Sequence, residues 1–347
     1  MARAKTSPPE PTTAPVVEAP APETAPAGRT HQRRVIVDKP APVDRWFDRI
    51  TLASGITVLL LLVLVGVFLL QRSREALGTT GIWNFLTTET WRTDVKPPEI
   101  GVLGLLTGTV LVALIAITIA VPLGTIAALF ITEYASTRSR KYLTGLIDLL
   151  AAIPSLIFGL WGFLALSSQL SSLSGWITSH FGWIPIFKTD KDANLTNSMF
   201  IAGVVVALMV VPIIASVARE VFAQTPPGEK EAALALGSTR WGMIKTVVLP
   251  YGKGGIIGGS MLGLGRALGE TIAVALLLPQ VPEVTAKILQ NGGATVSGFI
   301  VLRAGADRFT TSGLMAAGLV LFIVTLVTNS LASVVVARSR SGAGVEL

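Results

Sequence analysis

Long apolar runs alternate with short polar segments along most of this chain. The apolar runs lie at approximately 50–70, 102–131, 143–167, 199–218, 254–279 and 313–337. Each reaches the roughly 20 residues that a helix needs to cross a bilayer. The pattern therefore predicts an all-α polytopic membrane protein with six transmembrane helices. The second run is longer than a crossing requires, so that helix is expected to tilt or to project beyond the bilayer. Pro122, Pro154 and Pro212 fall within the predicted spans. Neighbouring helices can satisfy the backbone groups that such prolines free. Residues 1–43 have no apolar periodicity and are rich in Pro and Ala ("SPPEPTTAPVVEAPAPETAPAGRT"). A segment of this kind buries too little surface to offset its ordering entropy, and it reads as a disordered cytoplasmic tail. It lacks the short apolar core of a signal peptide. "DRWFDR" at 44–49 mixes Trp46 and Phe47 with charges, which suits a short interfacial helix.

Composition agrees with the pattern. Of 347 residues, 51% are hydrophobic and 14% charged, against roughly 25% charged in a soluble domain. The absence of cysteine excludes disulfides and thiolate chemistry, and the two histidines, His31 and His180, are too few for a histidine metal cluster. A net charge of +7 would also suit a nucleic-acid binder, but the basic residues follow membrane topology. In a six-span arrangement, the segments on the side of the termini carry eighteen Lys/Arg and the opposite loops nine. The positive-inside rule then places both termini in the cytoplasm. Without the N-terminal tail the balance is ten against nine, with the short 132–142 loop still basic.

The loop 219–253 contains "EKEAALALGSTRWGMIKTVVLPYGKGG". Pro226 and Pro227 suit a helix start, and the Ala/Leu-rich run that follows favours helix. Gly237 can supply the left-handed turn that ends it. Ser238 is a plausible N-cap for a second short helix, expected to stop near Pro250. Two short helices at an angle, with small residues at the bend, make a surface that fits a groove in another protein. Glu231, Ala232, Ala233, Gly237, Leu249 and Pro250 resemble the EAA loop of ABC importer permeases, with Val247 where that pattern has Ile. The resemblance implies that this loop docks onto a cytoplasmic ATPase. The chain has no Walker-type phosphate loop, since "YGKGG" at 251–255 has neither the spacing nor the Ser/Thr. ATP and magnesium are thus expected on a partner ATPase, with no cofactor on this chain.

The run at 254–279 reads "GGIIGGSMLGLGRALGETIAVALLLP". Gly255, Gly259 and Gly263 recur every fourth residue and form a surface that another helix can approach closely. Arg266 and Glu270 put two full charges into the same run, each costing about 2.5–3.5 kcal/mol if unpaired on insertion scales. In a continuous helix they share a face and can pair. A guanidinium presents a planar fork of donors to phosphate-like oxyanions. A neighbouring glutamate can neutralise it when no anion is present, or accept a hydrogen bond from a protonated oxyanion. "GRALGET", together with "AAIPSLIFGLWG" at 151–162 and "LFITEYAS" at 129–136, is similar to the phosphate importer permeases of the Pst system over residues 50–337. "GLGRALGETIAV" and the long loop after the first span bring the chain nearer to the PstC-type subunit. A PstA-type subunit, or the permease of another oxyanion importer, is the alternative.

That resemblance implies a MetI-like ABC type I permease fold over 50–337 with a cytoplasmic tail at 338–347. It implies substrate contacts from Arg266, Glu270, Thr271 and Ser155. It also implies a second, PstA-like permease subunit, a PstB-like ATPase homodimer and a PstS-like phosphate-binding protein. Inorganic phosphate and membrane lipid complete the set of partners, with no nucleic acid. A membrane-embedded enzyme is disfavoured because no histidine falls in the spans. A channel or ion-coupled carrier leaves the EAA loop without a purpose.

Overall fold

The computed structural model describes residues 42–340. The tail expected over 1–43 and the segment 338–347 lie almost wholly outside the described residues. The chain divides into two units, Met1–Thr57 and Val58–Leu347. In its described part the first unit is the exposed leading stretch of helix α1 (Pro42–Arg72). Residues 44–49 are therefore the opening turns of that long helix and do not form a separate one.

The second unit is helical with one two-stranded hairpin. After α1 come two short helices, α2 (Arg74–Thr80) and α3 (Ile82–Thr87), and strands β1 (Trp91–Arg92) and β2 (Glu99–Ile100), paired antiparallel. Helix α4 (Leu103–Leu129) passes through Pro122 and ends in a π turn, Phe130–Tyr134. The amphipathic α5 (Thr137–Ala152) follows, with Ser136 as its N-cap. The chain is extended at Ile153 and Pro154, then α6 (Ser155–Trp161) runs through the π turn Gly162–Leu166 into α7 (Ser167–Phe181). Next are α8 (Met199–Ala223), α9 (Pro227–Ala235) and α10 (Arg240–Met243). A π turn at Ile244–Val248 joins α10 to α11 (Leu249–Gly269). The last helices are α12 (Ile272–Leu277), α13 (Val296–Leu302) and α14 (Arg308–Arg340).

Five helices among the described residues are long and apolar enough to cross a membrane: Val43–Arg72, Leu103–Tyr134, Ser155–Phe181, Met199–Ala223 and Arg308–Val334. The third differs from expectation. Residue 153, which precedes Pro154, is driven to extended backbone by the proline ring, so the run at 143–167 is split there. The crossing helix starts at Ser155 and extends to Phe181. The run at 254–279 is also not one helix. It breaks at Glu270, whose ψ of 129° is extended.

The core forms where α4 and α8 pack along each other and α11 lies against both. Ala113, Ala116, Ala120, Val206, Val210 and Ile214 are buried in it. Gly255, Gly259 and Gly263 are buried on the face of α11 that meets Val221, Ile214, Val217 and Val210 of α8. An added Cβ at Gly263 would come within 2.5 Å of Val210, so the spacing of the two helices requires glycine there. A second cluster gathers Phe85, Trp91, Ile100, Phe299 and Leu314, joining the hairpin to α13 and α14. A third packs Ala128, Leu129, Ala218 and Phe222 against Met243, Ile244 and Val248. It ties the ends of α4 and α8 to the loop helix α10 and the turn that follows.

Candidate functional site

The break after α11 creates the site. Gly269 weakens the helix, and Glu270 and Thr271 bring side chains that compete for backbone hydrogen bonds. Thr271 Oγ1 donates to the Gly269 carbonyl at 3.0 Å. The Glu270 carbonyl accepts from Ser297 Oγ on α13 at 2.6 Å, which replaces a lost helical bond. The Glu270 carboxylate is 8% exposed and accepts from the Ala273 amide at 3.4 Å. It therefore sits over the first turn of α12, where free amides favour negative charge.

The pairing that a continuous helix would allow between Arg266 and Glu270 is not made. The extended ψ at Glu270 redirects the chain after it, its carboxylate accepts from the Ala273 amide, and no ion pair joins it to Arg266. The Arg266 guanidinium is exposed and has no hydrogen-bond, ion-pair or ring partner among the described residues. It faces an open recess of about 420 Å³ whose other walls include Ser155, Gly269, Glu270, Thr271 and Ile272. All four residues anticipated as substrate contacts thus line one recess. Ser155 enters it from the first turn of α6, just past the kink at Pro154. A cation with uncommitted donors, the Ser155 hydroxyl and one carboxylate set aside on a helix end can hold an oxyanion while leaving room for a proton on it.

A second recess, of about 480 Å³, opens on the other side of Arg266 between α11 and α14 and includes Gly265, Thr325 and Asn329. Sequence reasoning passed over these α14 residues. Their signal was the four-residue spacing of Thr325, Asn329 and Ser333, which puts three polar residues on one face of α14.

The loop residues occupy a different end of the unit. Glu231, Ala232 and Ala233 lie on α9, whose start at Pro227 matches the proline signal. Gly237 takes a φ of 86° and turns the chain. Thr239, and not Ser238, caps α10, accepting from the Gly242 amide at 3.1 Å. The expected stop near Pro250 does not occur. Leu249 and Pro250 open α11 directly after the π turn, whose wider ring relieves the clash of the proline with the preceding carbonyls. Residues 240–269 therefore form one uninterrupted helical rod from loop to break. At the bend Leu236 is 89% exposed and Trp241 is exposed beside it. Lys230 of α9 is anchored to Glu133 in the turn after α4 by a 2.6 Å ion pair.

Residues 120–341, more than half of the chain, match the family described as binding-protein-dependent transport system inner membrane component. "Phosphate transport system permease protein PstC 2" of Mycobacterium tuberculosis is 36% identical over 303 residues, covering 86% of this chain and 93% of the relative. "Phosphate transport system permease protein PstC" of Xylella fastidiosa is 37% identical over 301 residues, covering 86% and 92%. The protein of the same name from Mesorhizobium japonicum is 36% identical over 328 residues, covering 92% and 98%. The chain belongs to the PstC-type permease family.

Within this permease the family match spans both the recess around Arg266 and the loop 219–253. The multi-pass membrane character expected from hydropathy is that of the family. The recess and the loop bend are joined by a single helix, so the feature suited to an anion and the feature suited to a protein partner are mechanically connected.

Proposed function

We propose that this permease is the PstC-type subunit of an ATP-driven inorganic phosphate importer. The observation that carries the reading is the uncommitted Arg266 guanidinium at a helix break, beside Ser155, Thr271 and the offset Glu270. Similarity to proteins named as phosphate transport permeases supports phosphate as the anion. Six crossings, counting the broken α11–α12 pair as one, with both termini cytoplasmic, complete the proposed topology. A PstA-like subunit would close the pathway, a PstS-like protein would deliver phosphate to the outer side, and a PstB-like ATPase pair would bind ATP and magnesium.

In this reading ATPase closure pushes on the bend at Leu236–Trp241, and the rod from Arg240 to Gly269 carries the displacement to the break. Arg266 engages phosphate transiently, because a tight site would trap the ion. Glu270 stays clear of the guanidinium at the start of α12 and can accept a hydrogen bond from a protonated oxyanion, which fully deprotonated sulfate cannot offer. The test is reconstitution of the four-part complex in proteoliposomes. ATP hydrolysis and anion uptake should both rise when phosphate-loaded binding protein is present, with arsenate competing and sulfate not. Equal stimulation by sulfate would overturn the phosphate assignment.

A further inference from the structure

The recess between α11 and α14 is not needed to hold an anion at Arg266, yet it shares that arginine. Its lining includes Met261, Leu262, Gly265, Arg266, Thr325 and Asn329. It continues toward the C-terminal end of α14 as a second recess of about 480 Å³, with Gly258, Asn329, Ala332 and Ser333 among its walls. Three polar residues, Thr325, Asn329 and Ser333, stand four apart on the same face of α14 and all line this groove. They differ in chemistry. Thr325 Oγ1 donates to the Leu321 carbonyl at 2.8 Å and Ser333 Oγ to the Asn329 carbonyl at 2.9 Å, so both hydroxyl protons are committed to their own helix. The Asn329 amide has no hydrogen-bond partner among the described residues. Gly265 makes room for it: a Cβ built there would lie 3.3 Å from Asn329 Oδ1.

Asn329 is exposed to the groove, so its uncommitted amide is free to meet a ligand there. A carboxamide also offers what a monoprotonated phosphate requires, an N–H donor to a charged oxygen and an oxygen acceptor for the P–OH. No carboxylate lines either recess among the described residues. From this geometry we infer that Asn329 is a second oxyanion contact, taking protonated phosphate from Arg266 on its way along α14 toward that helix's C-terminal end. The inference rests on the phosphate-import reading and adds to it a specificity-determining residue and a direction of travel.

The experiment compares Asn329→Leu, Asn329→Asp and Asn329→Gln in the assembled complex in proteoliposomes, each normalised to complex recovered. Asn329→Leu keeps the number and branching of side-chain heavy atoms and should reduce maximal phosphate uptake about ten- to hundredfold, the loss expected of a hydrogen bond to a charged group. The concentration of loaded binding protein giving half-maximal rate should stay the same. Asn329→Asp should fall at least as far, and Asn329→Gln should recover most of the rate. Uptake by Asn329→Leu within twofold of the unsubstituted complex, or equal rates for Asn329→Asp and Asn329→Gln, would overturn the role. So would a loss that disappears when the vesicles contain only zwitterionic lipid, since that assigns the amide to an anionic headgroup. If the unsubstituted complex itself moves no phosphate, the functional reading fails. If it does and the Asn329 variants match it, only this inference fails.

Discussion

Arg266 is the residue on which the functional reading depends. Among the described residues its guanidinium has no partner, and the Glu270 carboxylate is occupied at the start of α12. Arg266→Gln leaves a polar but shorter side chain and removes the charge. Phosphate uptake is expected to fall about a hundredfold or more, as when a donor to a developing or transferred oxyanion is removed, with co-purification of the partner subunits unchanged. Measured uptake near that of the unsubstituted protein would sink the assignment. The residue types of the site were legible in the sequence, since two charges inside an apolar run announce themselves. Their relative geometry was not. It depends on Ser297, far along the chain, whose hydroxyl caps the Glu270 carbonyl and stabilises the break. A rule for neighbours on a continuous helix cannot anticipate a tertiary hydrogen bond that ends the helix.

At the scale of elements, local signals and structure agree closely over α9 and the turn that ends it. Proline at the start of α9 and glycine at its end act within a few residues, and the chain follows them. Gly237 has a φ of 86°, a conformation strained for any residue with a Cβ, and no atom would obstruct a side chain there. Gly237→Val should therefore shift the backbone at the bend without a clash in the core. Reduced recovery of the ATPase with the purified permease, together with reduced uptake, is the expected result; unchanged values of both would refute a coupling role for this turn. Element boundaries were less legible where a proline could mean two things. Pro154 breaks its run, whereas Pro122 and Pro212 sit inside continuous helices. Pro250 was expected to stop a helix and instead opens one, because the π turn before it supplies the space.

Taken as a whole, the molecule ties segments that are far apart in sequence. One link between the loop after α7 and the loop after α12 is Asp190, which receives Lys287 Nζ at 2.6 Å and Gln290 Nε2 at 3.2 Å. These hydrogen bonds, the one from Lys287 foremost, hold the Asp190 carboxyl below the ordinary carboxylate range. A depressed carboxylate contributes stability that is present above its unfolded value and is lost as pH falls through the folded one. Amide exchange at Asn291, bonded to the Asn194 carbonyl in the same junction, should therefore accelerate on acidification after correction for intrinsic rates. Asp190→Asn should flatten that response, and an identical pH profile in the variant would count against the link. Hydropathy revealed the number of apolar runs but not this stitching, because single polar residues in loops carry no periodicity.

The unbroken helix from Arg240 to Gly269 also sets a mechanical ratio. From Arg240 to Arg266 it measures about 39 Å at the standard rise, so a tilt of about 5° at the loop end displaces the guanidinium by about 3 Å. That is the length of one hydrogen bond. On the proposed reading, a small rocking of the bend would be enough to take Arg266 from contact with an anion to none.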